Sequence, residues 1–317
     1  MNPKLSTRAN AHGGVVSHAD VLACGYTESQ LRERLKAGAW MRLRRGYYAL
    51  RPEMEELPPW EIDAVVHRLH VRAAARALGT SVVVSHQSAA ALHDVSLWAI
   101  PVSEVQVTRL DGRTGRVRAG VRFHVGRLSD SSVTMVDGVV VTTPARALVE
   151  LACVTPYETA VIAVDSALRQ RLTTREDLLD ALDAVNWWPG SGTAKAAVLF
   201  ADGRSESVGE SRLRVLMDNQ GLPKPALQTR FGTAADNVIA RVDFYFREYG
   251  VVVEFDGMVK YRDTIRSTVL AEKVREDRLR EMGLIVVRVT WDELDDPAAV
   301  GWRIRRAMEL AAERRTA

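Results

Sequence analysis

The chain has 317 residues, which is too long for one ordinary core, so we expect two or three domains. It is 47% hydrophobic and 26% charged, as is usual for soluble proteins, and no stretch has the roughly 18 uncharged apolar residues of a membrane-spanning helix. The N-terminus has no apolar run typical of a secretory signal, and two distant cysteines imply neither a disulfide framework nor a Cys-based zinc site. We therefore expect a soluble, cytoplasmic protein.

The net charge of +3 hides an uneven distribution. Residues 1–51 carry nine basic and three acidic side chains, a net charge of +6, and the remainder is at −3. A basic segment on a near-neutral body is typical of a protein that meets a polyanion, although a basic surface without a partner has the same composition.

Residues 1–55 predict a winged helix-turn-helix. Capping signals place one helix at residues 17–24 and a second at 27–37, and residues 40–50 alternate around a turn as a two-stranded hairpin does. In this layout the second helix can lie in a DNA major groove while the hairpin reaches phosphates, although small winged domains also serve as protein-interaction modules. The expected nucleic-acid-binding side chains of this segment are Gln30, Arg32, Arg34, Arg42, Arg44 and Arg45.

Residues 56–200 predict a mixed α/β domain, with strand patterns between residues 81 and 143 and helices on either side. His67 and His70 share one helical face, as a pair of metal ligands would. No acidic or Cys ligand shares their spacing, and a zinc site needs three or four converging ligands, so surface or packed histidines are the better interpretation. We expect no catalytic constellation in this segment.

A turn-rich linker at residues 186–193 leads into a third segment, residues 201–317, which contains the clearest chemical signal. Residues 241–246 and 251–256 both alternate and are joined by four residues. This pattern predicts a β-hairpin.

In this hairpin Phe246 faces Val251, and counting back places Asp243 opposite Glu254, with Asp256 on the same side. The other face is expected to hold Val242, Phe244, Val253 and Phe255. Opposed side chains lie about 4.5–5.5 Å apart at Cβ, where like charges destabilise a sheet unless a counter-ion is present. A divalent cation, Mg²⁺ or Mn²⁺, would supply one and can activate water for phosphodiester hydrolysis. The alternative is a solvated acidic face.

Three further residues are expected at this site. Lys260, four residues past the second strand, can hold the attacking water or neutralise developing charge. Glu210 either caps the helix that follows Ser207 or points into the site. Gln228, which precedes the first strand, can orient the site or touch DNA. A basic helix at residues 271–282 is either paired with its own acids or in contact with phosphates.

Several segments together resemble the very-short-patch-repair-like endonuclease domain of the PD-(D/E)XK superfamily. They are Val242-Asp-Phe, Val253-Glu-Phe-Asp-Gly, the charged helix ending at Gly283 and the strand Leu284–Val289. The resemblance covers roughly residues 204–294 and implies a restriction-endonuclease-like α/β fold with a metal-dependent nuclease site. The catalytic residues that it implies are Glu210, Asp243, Glu254, Asp256 and Lys260, with Asp243 and Glu254 as metal ligands. Two positions depart from the pattern: Lys260 stands where the family often has His, and Asp256 stands where the superfamily has Lys.

The first 200 residues resemble AbiEi-type antitoxins, which are transcriptional autoregulators of type IV toxin–antitoxin systems. The resemblance is carried by Gly14–His18, Trp40–Leu50, Val84–His93 and Val141–Leu148. It implies that the winged helix binds operator DNA and that a cognate toxin is a possible partner. Nothing in these residues implies catalysis.

The sequence thus predicts a multidomain α/β protein and leaves two functions open. The first is a metal-dependent DNA endonuclease that its winged helix places on DNA. The second is a DNA-binding transcriptional regulator or antitoxin that does not cut. RNA also remains open as a substrate, because the phosphodiester chemistry is the same.

Overall fold

The structure is a computed structural model that describes residues 1–52, 57–232, 238–257 and 275–316. The chain divides into two compact units, Met1–Phe200 and Ala201–Ala317. Within the described ranges, no helix combines the length and apolar character needed to cross a membrane.

The N-terminal part of the first unit combines three helices with a small sheet. Its elements are α1 (Pro3–Asn10), β1 (Val15–Ser17), α2 (His18–Ala23), α3 (Glu28–Lys36), β2 (Trp40–Arg44) and β3 (Tyr47–Leu50). The strands form an antiparallel sheet in the order β1-β3-β2. The two predicted helices and the predicted hairpin are present, and α1 and β1 are additional elements that the sequence pattern did not reveal.

Reciprocal capping fixes the starts of α2 and α3. The Ser17 hydroxyl accepts the Asp20 N–H, and the Asp20 carboxylate accepts the Ser17 N–H. Thr27 and Gln30 form the same pair of bonds at α3. Each pair satisfies backbone N–H groups that have no partner inside a helix, so both helices begin where the capping signals predict.

A six-stranded sheet forms the middle of the first unit. Its strands, β4 (Val82–Val84), β5 (Val105–Arg109), β6 (Arg116–Arg118), β7 (Val121–Val125), β8 (Val133–Val136) and β9 (Val139–Thr142), lie in the order β6-β7-β5-β4-β9-β8. Its helices are α4 (Pro59–Leu78), α5 (His86–Leu92), α6 (Pro144–Ala152), α7 (Tyr157–Arg169), α8 (Arg175–Asp183) and α9 (Ser191–Phe200). Short 3-10 turns occur at Gly79–Ser81 and Asp130–Ser132. The predicted mixed α/β character is confirmed.

Helix α4 packs against the N-terminal sheet. One buried cluster combines three sheet residues with two residues of α4: Val15, Leu43, Ala49, Leu69 and Ala73. Beside it, Arg76 of α4 donates to the Asp20 carboxylate at 3.1 Å, and Arg8 donates to it at 3.0 Å. Burial raises the pKa of Asp20, but the hydrogen bonds from Ser17 and the two arginines outweigh burial and hold it well below its usual range.

The second unit is built on a four-stranded sheet. Its elements are α10 (Val208–Asn219), β10 (Ala226–Gly232), β11 (Val238–Phe246), β12 (Val251–Asp256), α11 (residues 275–281), β13 (Ile285–Thr290), a 3-10 turn (Asp292–Asp295) and α12 (Pro297–Thr316). The strand order is β10-β11-β12-β13; β12 and β13 are parallel, and the other pairs are antiparallel. In the hairpin Phe246 pairs with Val251, as predicted, and the pairing runs to Phe244 and Val253; the predicted pair of Asp243 and Glu254 lies beyond it.

Two core clusters flank this sheet. Phe244 and Val253 belong to the cluster that includes residues of α10 and α12, whereas Val242 packs with Val252 and with Leu279 of α11. The prediction that Val242 and Phe244 share one apolar face is therefore wrong. The regular alternation on which it depended is interrupted at Asp243, between these two residues.

Candidate functional site

Four of the predicted nucleic-acid-binding side chains are exposed in the N-terminal segment: Gln30, Arg32, Arg42 and Arg45. Arg42 lies on β2, and Arg45 lies in the turn between β2 and β3. Gln30 also serves the cap of α3, because its Oε1 accepts the Thr27 N–H at 3.0 Å. Arg32, Arg42 and Arg45 therefore present three positive charges on a helix and an adjacent hairpin.

Arg34 and Arg44 are less exposed than the other four. The Arg34 guanidinium lies 5.2 Å from the ring centroid of Tyr26 and 5.9 Å from that of Trp40, so it packs on the aromatic side of the small core. Arg44 is half-buried close to His70. Burial lowers the pKa of His70, and the Arg44 charge lowers it further.

The second unit brings together Glu210, Gln228 and Asp243. The Gln228 side-chain nitrogen donates to Glu210 Oε2 at 3.0 Å and to Asp243 Oδ1 at 3.3 Å, so one amide bridges two acids. The Glu206 N–H and the Ser207 hydroxyl also donate to the Glu210 carboxylate, each at 2.9 Å. Because Ser207 accepts the Glu210 N–H, both interpretations of Glu210 apply: it lies in the capped first turn of α10, and it reaches the acid cluster.

Asp243 lies where β11 and β12 separate. The paired register ends at Phe244 and Val253, and beyond this point Asp243 Oδ2 accepts the Phe255 N–H at 2.9 Å. Gln228, opposite Asp243 in the β10–β11 register, has a φ of 51°, which is uncommon for a residue other than glycine. The irregular backbone at this point turns polar side chains of two strands toward each other.

Glu254, the third expected acid, is buried and paired with Arg275 of α11. Arg275 Nη1 donates to Glu254 Oε1 at 2.7 Å, and Nη2 donates to Oε2 at 3.0 Å. Arg288 lies 3.9 Å from the same carboxylate. Arg275 thus pairs with an acid of the neighbouring strand β12 rather than with an acid of its own helix, and this partner is the predicted metal ligand.

The pKa of each acid that Gln228 bridges is raised above its usual value. Burial raises the pKa of Glu210 to about 7, and the nearby Asp243 charge contributes to this shift. Burial also raises the pKa of Asp243, although hydrogen bonds from Phe255 and Gln228 oppose the change. A cation placed beside these carboxylates would therefore favour their charged forms.

The remaining predicted residues do not join this cluster. Asp256 is half-buried and pairs in register with Thr290, and within the described ranges it makes none of the contacts that connect the other acids. Lys260 lies outside the described residues.

The oxygen donors of Glu210, Asp243 and Glu254 suit Mg²⁺ or Mn²⁺ chemically. In the part of the chain that the structure describes, however, no group of three or more His, Cys, Asp or Glu is arranged to hold a metal ion. As arranged in this structure, the donors do not fit a metal, because Glu254 forms an ion pair with Arg275.

The first unit contains a buried polar cluster that the sequence pattern did not predict. His86 stacks on His124 with ring centroids 3.8 Å apart, and its backbone N–H donates to Glu150 at 3.2 Å. Arg146 donates to the other Glu150 oxygen at 2.8 Å. Burial lowers the pKa of His86 to about 3 and that of His124 to about 4, so both rings are neutral at physiological pH. His67 of the predicted pair is also buried, in agreement with the interpretation of a packed histidine.

The fold and the exposed basic side chains of the N-terminal segment are compatible with a small winged-helix DNA-binding domain. A family model described as "Transcriptional regulator, AbiEi antitoxin" matches residues 4–51. The segment is therefore similar to an antitoxin-type regulator domain. The comparisons give no support to a nuclease at residues 201–317, which stays a prediction.

Similar proteins exist in Mycobacterium tuberculosis. "Uncharacterized protein Rv2248" of strain H37Rv and "Uncharacterized protein MT2308" of strain CDC 1551 are each 28% identical over 197 residues, which are 62% of this chain and 72% of the relative. The crystal structure of the RV2827C protein from the same organism matches 62% of this chain and 80% of that chain, with 17% identity and a TM-score of 0.36. This structural likeness is too low to carry an argument.

Proposed function

We propose that the protein is a DNA-binding transcriptional regulator whose N-terminal segment contacts duplex DNA. The observation that carries the proposal is the match of residues 4–51 to an antitoxin-type regulator family, over the same residues that fold as helices and a basic hairpin. An AbiEi-type regulator also has a toxin as a possible partner, and this remains part of the proposal.

The exposed side chains have distinct expected roles. Arg32 is exposed on α3, while Leu31 beside it is buried, and we expect Arg32 to reach base edges or phosphates. Arg42 and Arg45 are expected to contact phosphates, and such contacts fix the position of a protein on the duplex. Arg34 is expected to stabilise the segment rather than to contact DNA, because its guanidinium packs on Tyr26.

Fluorescence anisotropy with a labelled duplex from upstream of the protein's own gene, and with a scrambled duplex, tests this role across a series of salt concentrations. In the double variant Arg42→Gln/Arg45→Gln, we expect weaker binding and a salt slope smaller by about 2, at roughly 0.9 per lost phosphate contact. Arg169→Gln, an exposed arginine of α7, is the matched control. Unchanged binding in the double variant would refute the role of the hairpin.

A second function is favoured by the acids of the C-terminal unit. We propose that Asp243 and Glu254, assisted by Glu210, hold Mg²⁺ or Mn²⁺ in a nuclease site once Arg275 releases Glu254. Two observations support this role. Gln228 holds Glu210 and Asp243 close together, and the raised pKa of Glu210 shows that its ionisation there is unfavourable, which a bound cation would offset.

A cleavage assay on plasmid, linear duplex, single-stranded DNA and RNA, with Mg²⁺ or Mn²⁺ against EDTA, tests the nuclease proposal. Metal-dependent cutting that Asp243→Asn and Glu254→Gln abolish, and that the exposed control Asp218→Asn keeps, is the expected result. If the protein cuts none of these substrates and still binds DNA, the regulator alone remains.

A further inference from the structure

A second strongly basic surface lies in the first unit, outside residues 1–51. Residues 104–127 contain six arginines and two acids, and the segment alternates between strands and turns. The net charge of the residues beyond 51 is close to neutral, so it does not reveal this local positive charge. The structure shows where these arginines lie and which of them are already paired.

The acids of this segment are occupied by some of its arginines. Asp111 accepts two hydrogen bonds from Arg109 and lies 3.7 Å from Arg113, and Glu104 pairs with Arg122 at 2.9 Å. Arg116 and Arg118 have no ion-pair partner among the residues that the structure describes. Two positive charges therefore remain uncompensated on β6.

Strand β6 is an edge strand of the six-stranded sheet, and all three of its residues are exposed. Arg116 pairs in register with Phe123, and Arg118 pairs with Val121, so the two arginines lie on the same face. The rise of a strand places their Cα atoms about 6.6 Å apart. Arg113, with 76% of its side chain exposed, lies in the turn before the strand.

The Arg116 guanidinium is held in place by an aromatic ring. It lies 5.7 Å from the centroid of Phe123, a ring that Arg109 also contacts at 5.3 Å. A guanidinium that rests on an aromatic ring loses less side-chain freedom when it binds an anion than a freely moving one does.

We propose that Arg113, Arg116 and Arg118, which together form the arginine edge, contact the phosphate backbone of duplex DNA. The surface presents three like charges along one exposed strand and its turn. Phosphates carry evenly spaced negative charge along a nucleic-acid strand, and cations that neutralise them release counterions. The proposal builds on DNA binding by this protein but concerns residues separate from the predicted winged helix.

Two other roles for the arginine edge predict different results: protection of the strand edge against aggregation, and binding of an acidic protein. Charged side chains on an edge strand prevent association with other strands, a role that either sign of charge fulfils. An acidic protein partner would also be attracted to the arginines. If that were their role, however, replacing the arginines would leave DNA binding unchanged. Arg116 and Arg118, two charges of one sign on one face of an exposed strand, favour the nucleic-acid backbone over both.

The test measures the anisotropy of a labelled scrambled duplex against the full-length protein over a KCl series. For Arg116→Gln/Arg118→Gln we expect weaker binding and a salt slope smaller by about 2. The charge-reversed pair Arg116→Glu/Arg118→Glu keeps the edge charged against aggregation and is expected to bind DNA more weakly still. Arg169→Gln on α7 is the control, and circular dichroism with size-exclusion chromatography verifies the fold and monodispersity of each variant.

The two DNA contacts are distinguishable by their own variants. A normal salt slope in both β6 variants would overturn the arginine edge, whatever Arg42→Gln/Arg45→Gln does. If Arg42→Gln/Arg45→Gln leaves the salt slope unchanged while the β6 variants reduce it, the proposed winged-helix contact fails and the arginine edge stands. An unaltered slope together with aggregation of the glutamine pair alone would assign these arginines to edge protection.

Discussion

Arg275 donates two nearly parallel hydrogen bonds to Glu254, at 2.7 and 3.0 Å, and so connects α11 to the middle of the C-terminal sheet. The side chain of Glu254 is 9% exposed and that of Arg275 is 26% exposed, so water screens this pair weakly. The guanidinium stands at the carboxylate that the nuclease proposal assigns to a metal. Pairing with Arg275 and binding of a cation are therefore in competition.

Removing this arginine is expected to destabilise the unit and to increase its response to metal. Loss of one partner of a buried ion pair costs about 3–5 kcal/mol, so Arg275→Gln should lower the melting temperature in EDTA. Mn²⁺ should restore more of this loss than it adds to the unaltered protein, because Glu254 then no longer pairs with Arg275. Calorimetry with and without Mn²⁺ measures the difference, with exposed Arg278→Gln as the control. Equal effects of Mn²⁺ on both proteins would contradict a metal role for Glu254.

Gly209 provides an independent test of the packing around the acids. A Cβ at this position would lie 2.0 Å from the Phe255 ring, beside the N–H that Asp243 accepts. Gly209→Ala should therefore cost about 1–3 kcal/mol and identify the melting transition of the C-terminal unit. Gly257→Ala, whose added Cβ would meet the same ring at an ordinary 3.9 Å, is the matched control. Equal melting temperatures for the two variants would show that the contact is absent.

The C-terminal unit is expected to be more stable in mild acid than in mild base. Burial and the Asp243 charge raise the pKa of Glu210 from 4.5 to about 7, so the folded unit binds more protons than the unfolded chain between these values. Stability is therefore lost as the pH rises through this window. The melting transition that Gly209→Ala identifies should shift to lower temperature from about pH 5 to about pH 8. A shift in the opposite direction would rule out the raised pKa.

The first unit is expected to show the opposite dependence on pH. Burial lowers the pKa of His67 to about 4, of His86 to about 3 and of His124 to about 4. The unfolded chain then binds more protons than the folded unit below about pH 6.5, and stability falls as the pH decreases, by roughly 1 kcal/mol per pH unit for each histidine.

Tryptophan fluorescence reports on this first unit, because five of the seven tryptophans precede residue 201. His67→Gln should reduce the slope of melting temperature against pH, since it removes one buried titrating ring. His12→Gln, at a position that is only partly buried, should retain the slope. Retention of the full slope in His67→Gln would show that this ring does not contribute.

Local patterns were sufficient to predict much of the second unit. The hairpin register of Phe246 and Val251 followed from the loop length and the alternation, but the pairing ends at Phe244 and Val253, short of the predicted pair of Asp243 and Glu254. Ser207 was recognisable as a cap because capping depends on residues three apart. These features depend on neighbours in sequence, which a single sequence displays.

The contacts that decide the chemistry are not local. Arg275 and Glu254 are 21 residues apart, and His86 and Glu150 are 64 residues apart, so no periodicity connects them. The irregular backbone at Gln228 was equally hidden, because its φ of 51° reflects packing rather than any preference of glutamine. The clustering of Asp243, Glu254 and Asp256 stays a prediction, and the cationic partner of Glu254, Arg275, could not be predicted from the sequence.

The hydrophobic cluster shared by the N-terminal sheet and α4 has a consequence for how such a DNA-binding segment passes from one protein to another. Residues 4–51 carry the family likeness, yet Val15 and Ala49 are covered by Leu69 and Ala73 of a helix beyond that boundary. A chain that acquired this segment by recombination would also have to supply a helix with small apolar residues and an arginine that reaches Asp20. The stretch that matches the family, residues 4–51, is therefore shorter than the stretch that is needed to bury its core, which extends at least to Ala73.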